Sequence, residues 1–329
     1  MRTTRPRTIA GQHSRPAAIR IGLINNMPDT ALHATEAQFA GLLEGASPAR
    51  HVSLRFSSLP ELTRGAEASA HISEKYWPLE ALLGDGVDAL IVTGTEPRSP
   101  VLSEEPYWGR LRELLAWARR HTVTSIWSCL AAHAAVELMD GIKRRRLPEK
   151  RCGVYQHAIH GSHALLAGVT APLPMPHSRW NELPLEALAP AGYTLLSSSD
   201  LSGADAFVAE RGSLLVFFQG HPEYQATTLL KEYRRDVGRY LNGQQAHYPT
   251  LPYGYLPGEA VALLEAYKAR AVSEREPALL EHLPFAAVSA VLENTWQAGA
   301  LAIYRNWLAL IAAAHSTSAR SGALSLAHS

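Results

Sequence analysis

Short apolar runs alternate along the first half of the chain with stretches whose apolar positions recur at helical spacing. Residues 19–24, 87–93 and 123–128 are largely apolar runs that end at turn-forming residues, as is typical of strands buried on both faces of a parallel sheet. Residues 107–120 and 130–139 follow two of these runs and carry helical stripes. This alternation predicts an α/β fold: a doubly wound, mostly parallel sheet with helices on both faces.

The same criteria predict the remaining elements. Further strands are expected at 52–56, 193–197, 206–210 and 213–218, and further helices at 34–44, 226–241, 258–274 and 295–314. Residues 65–71, small and polar, are predicted as loop, and residues 143–188, rich in His and Pro, give no clear pattern. We therefore expect a disordered tail over 1–16, a catalytic α/β domain over 17–248, a helical extension over 249–314 that packs on it, and a disordered tail over 315–329.

Composition excludes several functional classes. The 329 residues are 47% hydrophobic and 19% charged, which is an ordinary globular balance. Lys and Arg total 31 against 30 Asp and Glu, so no overall basic field attracts nucleic acid or an anionic membrane. No apolar stretch approaches the roughly 20 residues of a membrane span, and the N-terminus has no secretory apolar region. Two cysteines make neither a disulfide framework nor a zinc site, which favours the cytoplasm and small-molecule partners.

Ligands of an open parallel sheet bind beyond the carboxyl ends of its strands. Segments 25–28, 94–98, 128–130 and 219–223 meet that condition. Cys129 lies between a predicted strand and a helix of small residues, which is the setting of a nucleophile elbow. There the helix dipole favours a thiolate, and the N–H of Leu130 can donate to an oxyanion. The alternative is a buried structural cysteine.

His221 follows another predicted strand and precedes Glu223 by two residues. A histidine in this position can act as a base while the carboxylate orients its ring, so that Cys129, His221 and Glu223 would form a thiol triad for acyl transfer. The alternative is a loop histidine beside a solvated carboxylate.

These residues carry a resemblance to a known family. Cys129 in its elbow and the later His-Pro-Glu resemble the class I glutamine amidotransferase superfamily. The ordered segments narrow this to the homoserine O-succinyltransferase/O-acetyltransferase family of methionine biosynthesis, which the chain resembles from about residue 19 to residue 311. The segments are IGLINNMPDTALHATEAQF, LIVTGTEP, EPYWGRLRELLAWARRHTVTSIWSCLAAHAAVEL, LPEKRCGVYQH, PHSRWNEL, GHPEYQATTLLKEYRRDV and TWQAGALAIYRNWL.

The resemblance implies a ping-pong mechanism with an acyl-CoA as co-substrate, no bound cofactor and no metal. Cys129 would attack the thioester, and His221, oriented by Glu223, would then deprotonate the hydroxyl of an amino-acid acceptor. By motif, Lys150 in LPEK, Ser178 in PHSR and Arg235 in KEYRRD match substrate-contacting positions. Their other interpretations are a surface lysine, a turn serine and a helix arginine paired with Glu232 or water. The resemblance also implies a homodimer.

The chain departs from the family pattern around the expected site. Asp29 and Thr30 follow Met-Pro where lysine is usual, Leu130 replaces a common Trp, and His133 stands where Gln is common. Homoserine, serine or another hydroxy amino acid therefore all stay open as the acceptor.

One loop position distinguishes acyl donors in this family, with glycine for succinyl and glutamate for acetyl. Counting from Gly94 places Arg98 there. A guanidinium can pair with the distal carboxylate of a succinyl group, and acetyl has no such group, so we favour succinyl-CoA over acetyl-CoA. Alternatively, Arg98 points to solvent or pairs with Glu96 or Glu104.

Two other clusters are less informative. The basic run at 143–146 can meet the phosphates of CoA, although such runs are more often solvated loops. His157, His160 and His163 have a spacing that could serve a metal, which we do not favour because only Cys152 could complete the set.

The competing functions are a glutaminase-type amidotransferase or related Cys hydrolase, and a non-catalytic relative. The former needs an ammonia-accepting partner domain, and none is evident in the sequence.

Overall fold

The computed structural model describes residues 18–326, with side chains as far as residue 317. The tail predicted at 1–16 lies outside the described residues. The strands are β1 (Ile19–Ile24), β2 (Val52–Ser57), β3 (Ala89–Val92), β4 (Thr124–Ser128), β5 (Arg145–Ile159), β6 (Leu173–Glu182), β7 (Thr194–Leu195), β8 (Ser197–Ser199), β9 (Gly203–Ala204), β10 (Ala206–Glu210) and β11 (Leu214–Phe218). The α-helices are α1 (Leu32–Ala46), α2 (Ala66–Lys75), α3 (Leu79–Asp85), α4 (Trp108–His121), α5 (Leu130–Asp140), α6 (Leu185–Leu188), α7 (Thr228–Leu241), α8 (Gly258–Glu274), α9 (Phe285–Ala290) and α10 (Gln297–Leu326).

The main sheet in residues 18–326 has seven strands in the order β2-β1-β3-β4-β11-β10-β7. The first five strands in this order, β2, β1, β3, β4 and β11, pair in parallel. The last two, β10 and β7, add an antiparallel edge. This confirms the predicted mostly parallel α/β fold. β3 and β4 are buried at every position, in agreement with their uninterrupted apolar runs.

Helices cover both faces of this sheet. In β3, Leu90 and Val92 face a core cluster that includes α3, α4 and α5, whereas Ala89 and Ile91 face a second cluster that includes α1 and α10. The alternation of side chains along a strand produces this division. α10 is therefore part of the hydrophobic core on one face of the main sheet. In contrast, α8 packs on α7 in a third core cluster.

A second, antiparallel sheet has the order β6-β5-β8-β9. It forms mostly from residues 143–188, whose pattern predicted no element. The reason is that β5 and β6 contain prolines and buried polar residues, including His157 and His177, so their burial does not follow hydrophobicity. The strand predicted at 193–197 divides at Leu196 into β7 in the main sheet and β8 in the second.

Two other expectations were wrong. Residues 66–75 form α2 rather than a loop. Only Ala68 of this helix is buried, so it has no apolar stripe, and its alanines and glutamates favour the helix by propensity. α10 continues to Leu326, into the tail predicted at 315–329. No proline interrupts this segment, and a helix fixed by packing extends readily because propagation is far easier than nucleation.

The pairing of β4 with β11 positions the site. Phe218 lies beside Ser128 at the last pair of this parallel register. The segments that follow these two strands, including Cys129 and His221, therefore leave the sheet side by side. None of the helices in residues 18–326 combines the length and apolar character needed to cross a bilayer.

We expect Leu308→Ala in α10 to lower the free energy of unfolding by about 3 kcal/mol, because this side chain is fully buried against the sheet. Urea denaturation measures this change. The matched control is Leu263→Ala in α8, where the leucine is 42% exposed and the expected change is within about 0.5 kcal/mol. Equal small effects at both positions would show that α10 is not part of the core.

Candidate active site

Cys129 lies in a sharp turn between β4 and α5. Its backbone has φ of 52° and ψ of −113°, in the left-handed half of conformational space that side-chain-bearing residues rarely adopt. Its N–H donates to the Phe218 carbonyl at 2.7 Å, and its carbonyl accepts from the His133 N–H at 3.2 Å to open the helix. The structure thus has the geometry of a nucleophile elbow.

Leu130 opens α5, where backbone N–H groups have no acceptor within the helix. Gly94, which follows the β3 segment, approaches it closely. A Cβ atom on Gly94 would lie 3.1 Å from the Leu130 nitrogen and 2.9 Å from its Cβ. Because Gly94 has no side chain, the approach to this N–H stays open, as an oxyanion donor requires.

The loop that carries His221 is anchored on three sides. The His221 N–H donates to the Pro176 carbonyl at 2.8 Å, and the Gly220 N–H donates to Asp205 Oδ1 at 2.9 Å. The His221 and Tyr224 rings stack with centroids 4.2 Å apart. His221 Nδ1 lies 2.8 Å from Glu223 Oε1, and both side chains are buried.

The His221 ring is held in its charged form. Burial acts to lower its pKa, but the charge of Glu223 and the adjacent Cys129 outweigh it, so the pKa is well above its usual value. A protonated imidazole next to a cysteine is the arrangement that stabilises a nucleophilic thiolate. The structure therefore brings Cys129, His221 and Glu223 together.

A buried hydrogen bond connects α5, which follows Cys129, to the segment after β11 that carries His221. His133, one turn beyond Cys129, lies with Nε2 2.9 Å from Gln219 Oε1. Burial lowers the pKa of His133 to about 3, with a smaller contribution from Arg179, so its ring is neutral. Gln219 also donates to the Ala204 carbonyl at 2.7 Å.

Lys150, Ser178 and Arg235 also come together, around two acids. Lys150 Nζ lies 2.6 Å from Asp236 Oδ2, and Arg235 Nε lies 3.2 Å from Asp236 Oδ1. The Ser178 hydroxyl donates to Glu232. The sequence interpretation that paired Arg235 with Glu232 is therefore replaced by a pair with Asp236.

Tyr224 and Asp236 were missed from the sequence as members of this cluster, and Glu232 was named only as a partner of Arg235. Glu232 accepts from the Tyr224 hydroxyl at 2.6 Å, and Tyr224 in turn stacks on His221. The available signal was the spacing of Glu232, Arg235 and Asp236, three and four residues apart on one face of α7. We call residues 150, 178, 224, 232, 235 and 236 the Asp236 cluster.

Arg98 is exposed and lines a cavity of about 280 Å³ whose wall does not include Cys129 or His221. Its N–H donates to Glu105 Oε1 at 2.6 Å. Among the described side chains its guanidinium forms no ion pair, because Glu96 pairs with Arg239 and Glu104 accepts from Ser99. The proposed pairing with Glu96 or Glu104 is therefore absent.

The first loop, which follows β1, is held to the segment just before α2. Asp29, in the position where the family usually has lysine, pairs with Arg64 at 3.2 Å and accepts from the Gly65 N–H at 2.8 Å. The hydrogen bond from Gly65 is the main cause of a lowered pKa of Asp29, with a further contribution from Arg64. Asp29 is therefore a charged residue on the cavity wall.

The basic run at 143–146 is only partly a solvated loop. Arg145 begins β5 and pairs with Glu182 and Glu186 at 2.7 and 3.0 Å. Arg146 lies over the exposed Trp180 ring at 4.3 Å. Arg144 is half-buried.

The three histidines at 157, 160 and 163 do not converge. His160 bonds Ser198, and His163 caps the short turn at Ala164–Leu166. His157 instead lies 3.2 Å from His177, which is 3.6 Å from Asp205.

This buried trio could in principle hold a metal. Each member is, however, already hydrogen-bonded to protein. His157 Nδ1 lies 3.0 Å from the Tyr155 carbonyl, and Asp205 accepts from Gly220 and Ser197. The trio works as a hydrogen-bond network that anchors the histidine loop through Gly220.

Comparisons with known proteins identify a family that matches most of the chain. A family model described as homoserine O-succinyltransferase matches residues 4–317. A protein named homoserine O-succinyltransferase from Methylorubrum extorquens is 47% identical over 89% of this chain and 87% of its own length. One of the same name from Rhodopseudomonas palustris is 44% identical over 89% of this chain and 88% of its own. Among solved structures, a glutamine amidotransferase from Thermotoga maritima is similar with a TM-score of 0.46 and 13% identity, over 90% of this chain and 99% of that one.

We expect Glu223→Gln to lower the pKa of His221 markedly, because burial then acts on the imidazolium without the opposing charge. An NMR titration of the ring measures the change. The control is Glu259→Gln, which removes an exposed charge from α8. A His221 pKa that is unchanged in Glu223→Gln would contradict the role of this carboxylate.

Proposed function

The chain belongs to the homoserine O-succinyltransferase family, enzymes of methionine biosynthesis, and from this premise we propose that it succinylates L-homoserine through an acyl-enzyme on Cys129. The observation that carries the proposal is the elbow at Cys129 beside the buried pair of His221 and Glu223. Succinyl-CoA is the proposed donor.

The first half-reaction is acylation. The Cys129 thiolate attacks the thioester carbonyl carbon, and the resulting oxyanion accepts a hydrogen bond from the Leu130 N–H. When the C–S bond of the donor breaks, the protonated His221 gives its proton to the departing CoA thiolate. Free CoA, an acylated Cys129 and a neutral His221 result.

The second half-reaction regenerates the enzyme. Neutral His221 takes the proton of the acceptor hydroxyl, and the oxygen attacks the acyl carbon. The new ester forms as the thiolate of Cys129 leaves, so the imidazolium and thiolate are restored. Glu223 keeps the ring oriented in both steps and stabilises its charge.

The Asp236 cluster supports an amino acid as the second substrate. Lys150 and Arg235 supply cations next to the acids Glu232 and Asp236, a mixture that matches the opposite charges of a zwitterion. Arg235 is 48% exposed in its side chain and retains donors for the acceptor carboxylate. Ser178 is proposed to contact the same substrate.

Two separate observations support succinyl-CoA as the acyl donor. The names of the relatives favour succinyl, and Arg98, exposed on the cavity wall, is proposed as a donor-specificity residue. Acetyl-CoA as donor, and serine as acceptor, are the alternatives that experiment must separate.

We expect one succinyl adduct on the wild-type protein after mixing with succinyl-CoA in the absence of acceptor, and none on Cys129→Ala. Intact-mass spectrometry measures both. Cys152→Ala is the matched control and should retain the adduct, because burial raises the pKa of the Cys152 thiol to about 12 and keeps it protonated.

Parallel samples with acetyl-CoA identify the donor, and discharge by homoserine or serine identifies the acceptor. An adduct on Cys129→Ala, or its loss in Cys152→Ala, would overturn the assignment of the nucleophile. Hydrolysis of glutamine without any adduct would favour the amidotransferase alternative.

A further inference from the structure

Arg144 stands apart from the other basic residues of its run. It is half-buried, and its Nη2 donates to the Pro100 carbonyl at 3.2 Å. Among the side chains described to residue 317, no carboxylate forms an ion pair with it, whereas Arg145 pairs with two glutamates. A half-buried guanidinium with unused donors is suited to an anionic ligand.

The contact with Pro100 places Arg144 against the loop that follows β3, and the same loop carries residues of the cavity wall. Burial lowers the pKa of Arg144, while the charges of Tyr107, Glu137, Cys129 and Glu105 act in the opposite direction. Arg144 also influences the neighbouring His133. The positive charge therefore lies against the loop that follows β3.

Tyr107 supplies a second donor. Its side chain is 3% exposed, and its hydroxyl has no hydrogen-bond partner in the described structure. It lines the same cavity as Arg98 and Glu105. A buried hydroxyl without a partner is costly unless a ligand supplies the missing hydrogen bond.

The nearby acid leaves Arg144 available. Glu105 accepts through Oε1 from the backbone N–H groups of Arg98 and Ser99, at 2.6 and 2.7 Å. Its other oxygen, Oε2, is buried and has no hydrogen-bond partner in the described structure, and Arg144 is not paired with it. Its role is to hold the loop, and both the guanidinium and the Tyr107 hydroxyl keep donors for a substrate.

We propose that Arg144 and Tyr107 form the subsite for the distal carboxylate of the succinyl group, an assignment that rests on the proposed function. Succinyl differs from acetyl by an added CH2 and a carboxylate, and only that carboxylate can accept from these two donors. A site built to bind a charged group discriminates strongly against an analogue that lacks it, because its own polar groups are then unpaired. Arg98, exposed to water, is the outer and weaker contact.

The test measures acylation of Cys129 in single turnovers, followed by intact mass, with three donors. Succinyl-CoA is compared with acetyl-CoA and with butyryl-CoA, which keeps four carbons and has methyl in place of the carboxylate. We expect Arg144→Leu to lower the second-order rate constant for succinyl-CoA by about 10- to 100-fold and to leave butyryl-CoA unchanged or improved. Tyr107→Phe should lower the succinyl rate by about 3- to 10-fold.

The matched control is Lys143→Leu, which removes a charge from an exposed neighbour in the same run. It should change all three donors equally, since any effect would act through the shared CoA. Arg144→Lys should restore part of the preference for succinyl, which a purely structural role would not do. Tyr107→Phe removes an oxygen that has no partner in the described structure, so it provides a folded variant if Arg144→Leu is unstable.

An equal loss for all three donors in Arg144→Leu would overturn the subsite. So would a succinyl preference that changes only in Arg98→Gly, because the carboxylate would then bind at the outer residue. If the wild-type protein forms no adduct with any donor, the proposed function itself fails, and that result is distinguishable from a failure of the subsite alone.

Discussion

The site depends on the backbone conformation of one residue, Cys129. A residue with a side chain at φ of 52° and ψ of −113° is strained by about 1–3 kcal/mol, so the surrounding structure must hold it there. β4 is fixed between β3 and β11, and the Cys129 N–H is bound by the last residue of β11. Because Gly94 has no side chain, the backbone of Leu130 can pack closely against the segment that follows β3.

The same register determines where the histidine lies. Because β4 and β11 run in parallel and end together, the loop after β11 begins next to the elbow. The rest of the molecule shapes that loop from separate directions. Pro176 comes from the second sheet, Gln219 reaches across to α5, and Trp296, just before α10, donates to the Tyr224 carbonyl at 2.8 Å. The second sheet and the C-terminal helices thus hold the histidine loop in place, although Cys129, His221 and Glu223 all lie outside them.

The sequence predicts what depends on local pattern. Apolar runs indicate the parallel strands, and because ligands bind where such strands end, the same runs indicate Cys129 and His221. The second sheet was not predictable, because His157 and His177 are buried through a hydrogen-bond network that exists only after distant segments meet. For the same reason, the sequence did not indicate Tyr224 or Asp236 as members of the cluster around Lys150. Arg144 is one member of a basic run in the sequence, and only its partial burial against the loop that follows β3 distinguishes it.

The most direct test of this account compares the free energies of unfolding of Cys129→Gly and Cys129→Ala in urea. Both variants lack the thiol, so their difference reports on the backbone. At ordinary backbone angles, alanine is the more stable by about 0.5–1 kcal/mol, since glycine loses more entropy on folding. We predict the reverse order here, with glycine the more stable by about 1 kcal/mol, because the elbow holds a conformation that favours glycine. An alanine variant that is equally or more stable would contradict the claim that a strained elbow positions the nucleophile.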